Sequence, residues 1–268
     1  MKIAAIHRYP VKSLGGEALD RARVESRGIA GDRRWMLVDA NGRFLTRREL
    51  PAMARIAAVP TSTGIRLSAA EAGYCDVPFP AGDRMADGVD VTVWRDRVRA
   101  LRADAAASRW LSALLGREAH LVHQPDDSIR PVDPGHARPG DIVSFADGFP
   151  LLVTTTESLA ALNARLERPV DMARFRPNIV LSGAPAPWAE DEWSGLRIGA
   201  LSLRIAKPCT RCIITTQDPL TGARADGNEP LATLRALGRR ASGGVVFGQN
   251  VIPDGDAEIA VGDAAGFF

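Results

Sequence analysis

Short apolar or alternating runs broken by turn chemistry dominate this chain, and they limit its fold more than any other feature. The N-terminal part carries KIAAIHRYPV, EALDRARVES, RRWMLVDANGRFL, ARIAAVP, GIRLSAA and VDVTVWRDRVRAL. Runs of this length with period two read as strands. DANG, between WMLV and RFL, has the composition of a hairpin turn. A helix follows, with Asp104 as N-cap, Trp110, Leu111, Leu114 and Leu115 on one face, and Gly116 as the stop. A second helix is expected in TTTESLAALNARL, with a capping box from Thr154 to Glu157 and Leu159, Leu162 and Leu166 on one face. PNIVLSG, GLRIGALSLRIA, CIITT, VVFGQNVI and AEIAVGD read as further strands, and EPLATLRALGRR as a short helix burying Leu231, Leu234 and Leu237. No internal repeat or low-complexity tract interrupts the pattern. Strands outnumber helices without regular alternation, which disfavours a doubly wound sheet. The expected class is mainly β or α+β, built on β-barrel-like units.

Composition narrows the function classes. With 268 residues, 46% hydrophobic and 25% charged, the chain can hold one large core or two small ones. A net charge of +2 and the lack of a basic run give no support to a nucleic-acid partner. MKIAAIHRYPVKS lacks the apolar centre of a signal peptide, and no stretch is long and apolar enough to span a bilayer, so no membrane role is expected. Three cysteines, an odd number, argue against a disulfide framework and for a reducing cytoplasm. Only Lys2, Lys12 and Lys207 are lysines among the 34 basic residues, a bias that codon usage can explain. The stretch from Gln124 to Asp141 is polar and proline-rich and reads as a lid or binding loop, or equally as a linker.

The segment KPCTRCIITTQDPLTG, Lys207 to Gly222, concentrates the chemistry. Its C-x-x-C has three readings. Structural zinc needs four ligands, and Cys75, His7, His120, His123 and His136 show no paired spacing to complete the set. A thioredoxin-like dithiol needs a helix after the first cysteine, whereas IITT is strand-like. The third reading uses a single thiolate beside Lys207 and Arg211, cations that favour the thiolate and suit a soft metal or an anionic cofactor.

RYPVKS, GDRRWMLVD, FADGFPLL, ESLAALNARL, RFRPNIVLSG, KPCTRCIITTQDPLTG and VFGQNV, in this order, resemble the proteins that join an N-terminal MOSC β-barrel domain to a MOSC domain. That family includes the mitochondrial amidoxime-reducing components and their bacterial relatives, and MOSC domains also end the molybdenum cofactor sulfurases. The resemblance spans nearly the whole chain. It implies an N-terminal domain over 1–121 and a molybdenum-cofactor-binding MOSC domain over 122–268. It also implies a molybdenum cofactor, a metal held by a pterin dithiolene and by one cysteine, which here is Cys212. Cofactor contacts carry over to Lys12, Ser13, Arg33, Arg176, Asn178, Thr210 and Arg211. Gly148 and Phe149 differ from the family's usual side chains, so contact there would run through backbone. Asn250 stands where the mitochondrial protein has tyrosine. A terminal phosphate on the pterin suits forked guanidiniums and an ammonium. Read without the resemblance, Lys12 and Arg33 are equally well solvated strand-end charges, and Asn178 a turn residue satisfying backbone.

The implied activity is reduction of small N-hydroxylated substrates: amidoximes, hydroxylamines and N-hydroxylated base analogues. The metal would supply two-electron chemistry and the protein orientation and electrostatics. No G-x-G-x-x-G follows a strand, and no cysteine-rich ferredoxin segment follows AEIAVGDAAGFF, so electrons are expected from a separate flavin, haem or iron–sulfur protein. The other readings are a sulfur carrier or cofactor-handling module with a persulfide on Cys209 or Cys212, and a metal or redox module using the C-x-x-C itself. His136, in the polar loop, is either a substrate-side group or a solvated histidine.

Overall fold

The computed structural model describes residues 1–81, 87–241 and 243–268. It is mostly β with few helices. The largest sheet runs in the order Ala265–Phe267, Gly195–Ile198, Leu201–Thr210, Gly244–Asp254, Leu151–Thr155, Ile179–Ser182, Lys2–Arg8 and Glu17–Leu19. A bridge from Lys2 to Ala264 ties the first strand to the last, so the sheet closes on itself and leaves few open edges. Leu151–Thr155 and Ile179–Ser182 pair in parallel, and the helix Thr156–Asn163 makes the crossover between them. Inside the barrel Ile3, Ile6, Leu151, Val153, Ile179, Leu181, Leu203 and Val251 form one apolar core.

The first and last segments of the chain share this barrel. Lys2–Arg8 pairs with Ile179–Ser182, and Arg21–Glu25 pairs with Ala257–Ala260. A four-stranded sheet (Trp35–Val38, His120–His123, Asp96–Arg102, Gly88–Val93) and a three-stranded one (Ala57–Thr61, Gly64–Ala69, Gly73–Pro78) form a second body. Its core holds Val11, Leu14, Trp35, Leu37, Met53, Leu67 and Leu111. Leu111 comes from the helix Ala105–Leu115, where Asp104 accepts from the Ala107 amide at 2.8 Å and Gly116 ends the helix at φ 61°. Both ends are as the sequence predicts.

Two local expectations are corrected. The N-cap of Thr156–Asn163 is Thr155, whose hydroxyl accepts from the Ser158 amide at 3.2 Å. Thr154 is still paired in the strand, and Glu157 turns instead to the Gly183 amide at 2.8 Å. Ile213–Thr216 is a 3-10 turn, not a strand. The hydroxyls of Thr215 and Thr216 donate back to the carbonyls of Cys212 and Ile213, both at 2.8 Å, and that local bonding overrides β-branched propensity.

A buried carboxyl supports the helix start. Glu190 is fully buried and its Oε2 accepts from Ser158 at 2.9 Å and Thr155 at 3.1 Å, while Oε1 has no partner. Burial raises its pKa above the ordinary carboxyl value, with the two hydroxyl bonds opposing. A carboxyl raised in the folded state gives up stability as pH rises from the unfolded pKa towards the folded one. Glu190→Gln is therefore expected to lose less stability than the parent protein between pH 4.5 and pH 7.5. Urea unfolding of both proteins at the two pH values tests this, and identical pH dependence would reject it.

The segment 124–141 is anchored. Arg27 donates to the carbonyls of Asp126 and Ser128, and buried Arg130 donates to those of Ser144 and Ala146 and to Asp96.

Candidate functional site

Four residues with positive φ meet beside the barrel: Ser13 at 68°, Arg33 at 48°, Trp94 at 57° and Arg176 at 52°. Non-glycine residues stay in this region only when their surroundings hold them, at roughly 1–3 kcal/mol each. All four line one cavity of about 470 Å³. The same cavity brings together every cofactor residue that the resemblance implies: Lys12, Ser13, Arg33, Gly148, Phe149, Arg176, Asn178, Thr210, Arg211, Cys212 and Asn250. Both sequence halves contribute. Arg47 and Gln217 clamp them, with the Gln217 amide donating to the Arg47 carbonyl at 2.8 Å.

The cavity is strongly cationic. Among the described residues Lys12, Arg33, Arg47, Arg48, Arg176, Lys207 and Arg211 line it, against one carboxylate, Asp147. The Lys12 ammonium donates to the Phe145 carbonyl at 2.8 Å and to Asp147 at 2.5 Å. Burial lowers its pKa, and Asp147 partly offsets this. The Asp147 side chain is 70% exposed, and Lys12, Arg48 and Arg33 outweigh any desolvation and hold its carboxyl far below the usual range.

Arg33 and Arg176 stack on Tyr9 at 4.5 and 4.2 Å from its ring centroid. Arg33 donates to Asp32 at 2.6 Å and to Asn178 Oδ1 at 3.1 Å. Burial would lower its pKa, and the Asp32 carboxylate raises it beyond the ordinary value. Arg176 has no such carboxylate. Its Nη1 donates to the Leu14 carbonyl at 2.7 Å, while Nη2 is buried with no partner. Burial, then the neighbouring Arg33 charge, pushes Arg176 down to about 9. Arg211 Nε is likewise buried and unpartnered. Burial brings Arg47 to about 10, opposed by Asp218.

The two cysteine sulfurs have separate arginines. Arg48 Nη2 donates to Cys212 Sγ at 3.3 Å, and Arg211 Nη1 to Cys209 Sγ at 2.8 Å. Among the described residues no group of three or more His, Cys, Asp or Glu could hold a metal ion, so the four-ligand zinc reading finds no ligand set. A cofactor that brings its own metal ligands needs only one. A Cβ added at Gly148 would meet nothing within 4 Å, so backbone there faces open cavity.

The MOSC N-terminal β-barrel model matches residues 1–118, and the MOSC domain model matches 140–265. Human mitochondrial amidoxime-reducing component 1 is 31% identical over 281 residues, covering 97% of this chain and 81% of that protein. This chain belongs to the MOSC-domain family. The Xenopus laevis amidoxime-reducing component 1 is 32% identical, over 85% of this chain and 69% of that protein. A molybdenum cofactor sulfurase of Oryza sativa is 29% identical over 90% of this chain but only 31% of its own length.

Asn178, which the resemblance already implied, has a second role that the sequence does not show, and several other residues of this MOSC site escape sequence reading. Asn178 is 1% exposed and its side chain serves the Leu152 amide and the His7 carbonyl besides Arg33, so it positions Arg33 as well as lining the cavity. Arg47 and Arg48 are adjacent in TRREL, one directed to Gln217 and the other to Cys212. Adjacent arginines after a turn are the only trace in the sequence. Asp147, inside FADGFPLL, and Trp94, inside a strand run, carry no sequence mark of their own. No residue of 124–141, His136 included, lines this cavity, although the His136 ring stands 6.2 Å from Phe149.

Proposed function

We propose that this cavity holds a molybdenum–pterin cofactor with Cys212 as its protein ligand, and that the protein reduces N-hydroxylated compounds. The observation that carries the reading is a cavity lined by seven cations beside a cysteine sulfur, one of which, Arg176, has a buried nitrogen without a partner among the described residues. Buried donors without partners are uncommon, and an anionic ligand would satisfy this one. When bound, the cofactor supplies a two-electron centre. Arg176 and Arg211 would hold its anionic end, Asn178 and Asp32 keep Arg33 in place, and Arg48 orients the Cys212 sulfur. The Lys12 ammonium retains a proton at Nζ against Asp147. Net reduction of R–N–OH by two electrons and two protons gives R–N–H and water.

Amidoximes, hydroxylamines and N-hydroxylated base analogues are the substrate class, with electrons from a separate flavin, haem or iron–sulfur protein. Residues 1–121 and 122–268 would act as the two domains that close on the cofactor, in a cytoplasm where all three thiols remain free. A second reading, persulfide carriage, draws on Cys209, which lines the same cavity with Arg211 on its sulfur. Metal and sulfur analysis of freshly purified protein separates the two. Stoichiometric molybdenum with pterin supports the reductase, and cyanolysable sulfur without metal supports the carrier. Arg176→Ala and Arg33→Ala are each expected to weaken cofactor binding by about 1.5–3 kcal/mol, the range of charge-assisted hydrogen bonds. Unchanged molybdenum occupancy in both, under competition for limiting cofactor, would overturn that assignment.

A further inference from the structure

Behind the wall that carries Arg33 lies a second cavity of about 440 Å³. Consecutive residues divide between the two spaces: Arg33 faces the first, while Arg34 and Trp35 line the second. The volume falls within the roughly 300–1,000 Å³ typical of small-molecule sites.

Three rings form its apolar side. Trp35 and Phe79 stack at 5.8 Å between centroids, and His123 stands 4.6 Å from Trp35 and 5.2 Å from Phe79. Pro10, Pro60, Pro80 and Pro125 add rigid apolar surface. Among the described residues the polar side is one ion pair. Arg34 donates to the Gln124 carbonyl from Nε at 3.1 Å and from Nη2 at 2.5 Å, and to Asp126 at 2.8 Å. Asp126 belongs to the anchored 124–141 segment, and its side chain is 88% exposed. The Arg34 hydrogen bond and charge hold its carboxyl below the ordinary range, so it is an anion at neutral pH. A carboxylate accepts at about four positions, and Arg34 engages one oxygen.

We propose that this cavity binds planar aromatic amidines, with the ring against the aromatic walls and the N–H edge on Asp126. Flat π-faces favour a planar ring, and more so a cationic one. The fixed carboxylate selects donors and repels an acid. Arg34 takes only Oδ1 of Asp126, its Nε being held by the Gln124 carbonyl, so it leaves acceptor positions of the carboxylate for a ligand. Aryl amidines are also what reduction of aryl amidoximes yields, which would make this a product site. That last link rests on the reductase reading, whereas the binding itself does not.

The test is calorimetric titration of the purified protein with benzamidine, without cofactor loading or electron donor. One saturable site is expected, with no binding of benzoate and weaker binding of cyclohexanecarboxamidine, which lacks the ring face. Phe79→Ala should weaken benzamidine binding about fivefold, the scale of one ring contact to a cation. Phe79 is 46% exposed, so its truncation leaves the core intact. Asp126→Asn should weaken it at least as much, and provides the same test if Phe79→Ala fails to fold. Absence of saturation by about 10 mM, benzoate binding as tightly as benzamidine, or indifference to both substitutions would overturn the proposal.

Discussion

Cys212→Ser is expected to lower amidoxime reduction by chemically reduced protein more than about 100-fold, beyond the 10–100-fold typical of losing a partner that only supports a metal ligand. Cys209→Ser is expected to keep most of the activity. Both sulfurs line one cavity, yet each has its own arginine, so their roles are separable. A serine hydroxyl is hard and normally protonated, a poor replacement for a soft thiolate ligand. Folding should survive the change. Cys212 is the N-cap of the 3-10 turn Ile213–Thr216 with no side-chain cap bond, a position where serine is favoured. The assay is run on both variants side by side, normalised to bound molybdenum. Equal losses would point to a disulfide or persulfide mechanism, and full activity in Cys212→Ser would remove the ligand.

The fold class was legible in the short alternating runs, whereas the long-range pairing that builds the site was not, and the difference has a physical basis. The residues that meet in the cavity were named by the family resemblance, since local alternation places strands but does not report that Lys12 and Cys212 meet. Barrel closure lies beyond local alternation too. The bridge from Lys2 to Ala264 joins opposite ends of the chain, and no local pattern reports such pairing. The turn at Ile213–Thr216 was hidden because threonine favours strands by shape and turns by its hydroxyl, and only the structure shows which wins. Arg47 and Arg48 were hidden because an exposed and a buried arginine look alike in sequence, although Arg47 is 2% exposed here.

Asp32 was passed over for the same reason, although it stands beside Arg33 in GDRRWMLVD, and it carries the other large expected effect. Its carboxylate is inaccessible to solvent, accepts from the Tyr9 amide at 2.8 Å and pairs with Arg33 at 2.6 Å. Two guanidiniums, Arg33 and Arg176, flank the Tyr9 ring, and only Arg33 is paired with this carboxylate. Asp32→Asn keeps the size and removes the charge, leaving Arg33 without the carboxylate it bonds and with Asp147 as its remaining anionic neighbour. Removing one partner of a buried pair costs about 3–5 kcal/mol, so the unloaded protein should lose that much stability in urea unfolding. An anionic cofactor at Arg176 would supply part of the missing charge, so the loaded protein should lose less. The expected signature is thus a wider stability gap between loaded and unloaded forms in Asp32→Asn than in the parent, since a ligand that binds only the folded state stabilises it by mass action. A gap that stays the same, or narrows, would mean that no anion compensates these arginines, and the cavity would then have to be read without one.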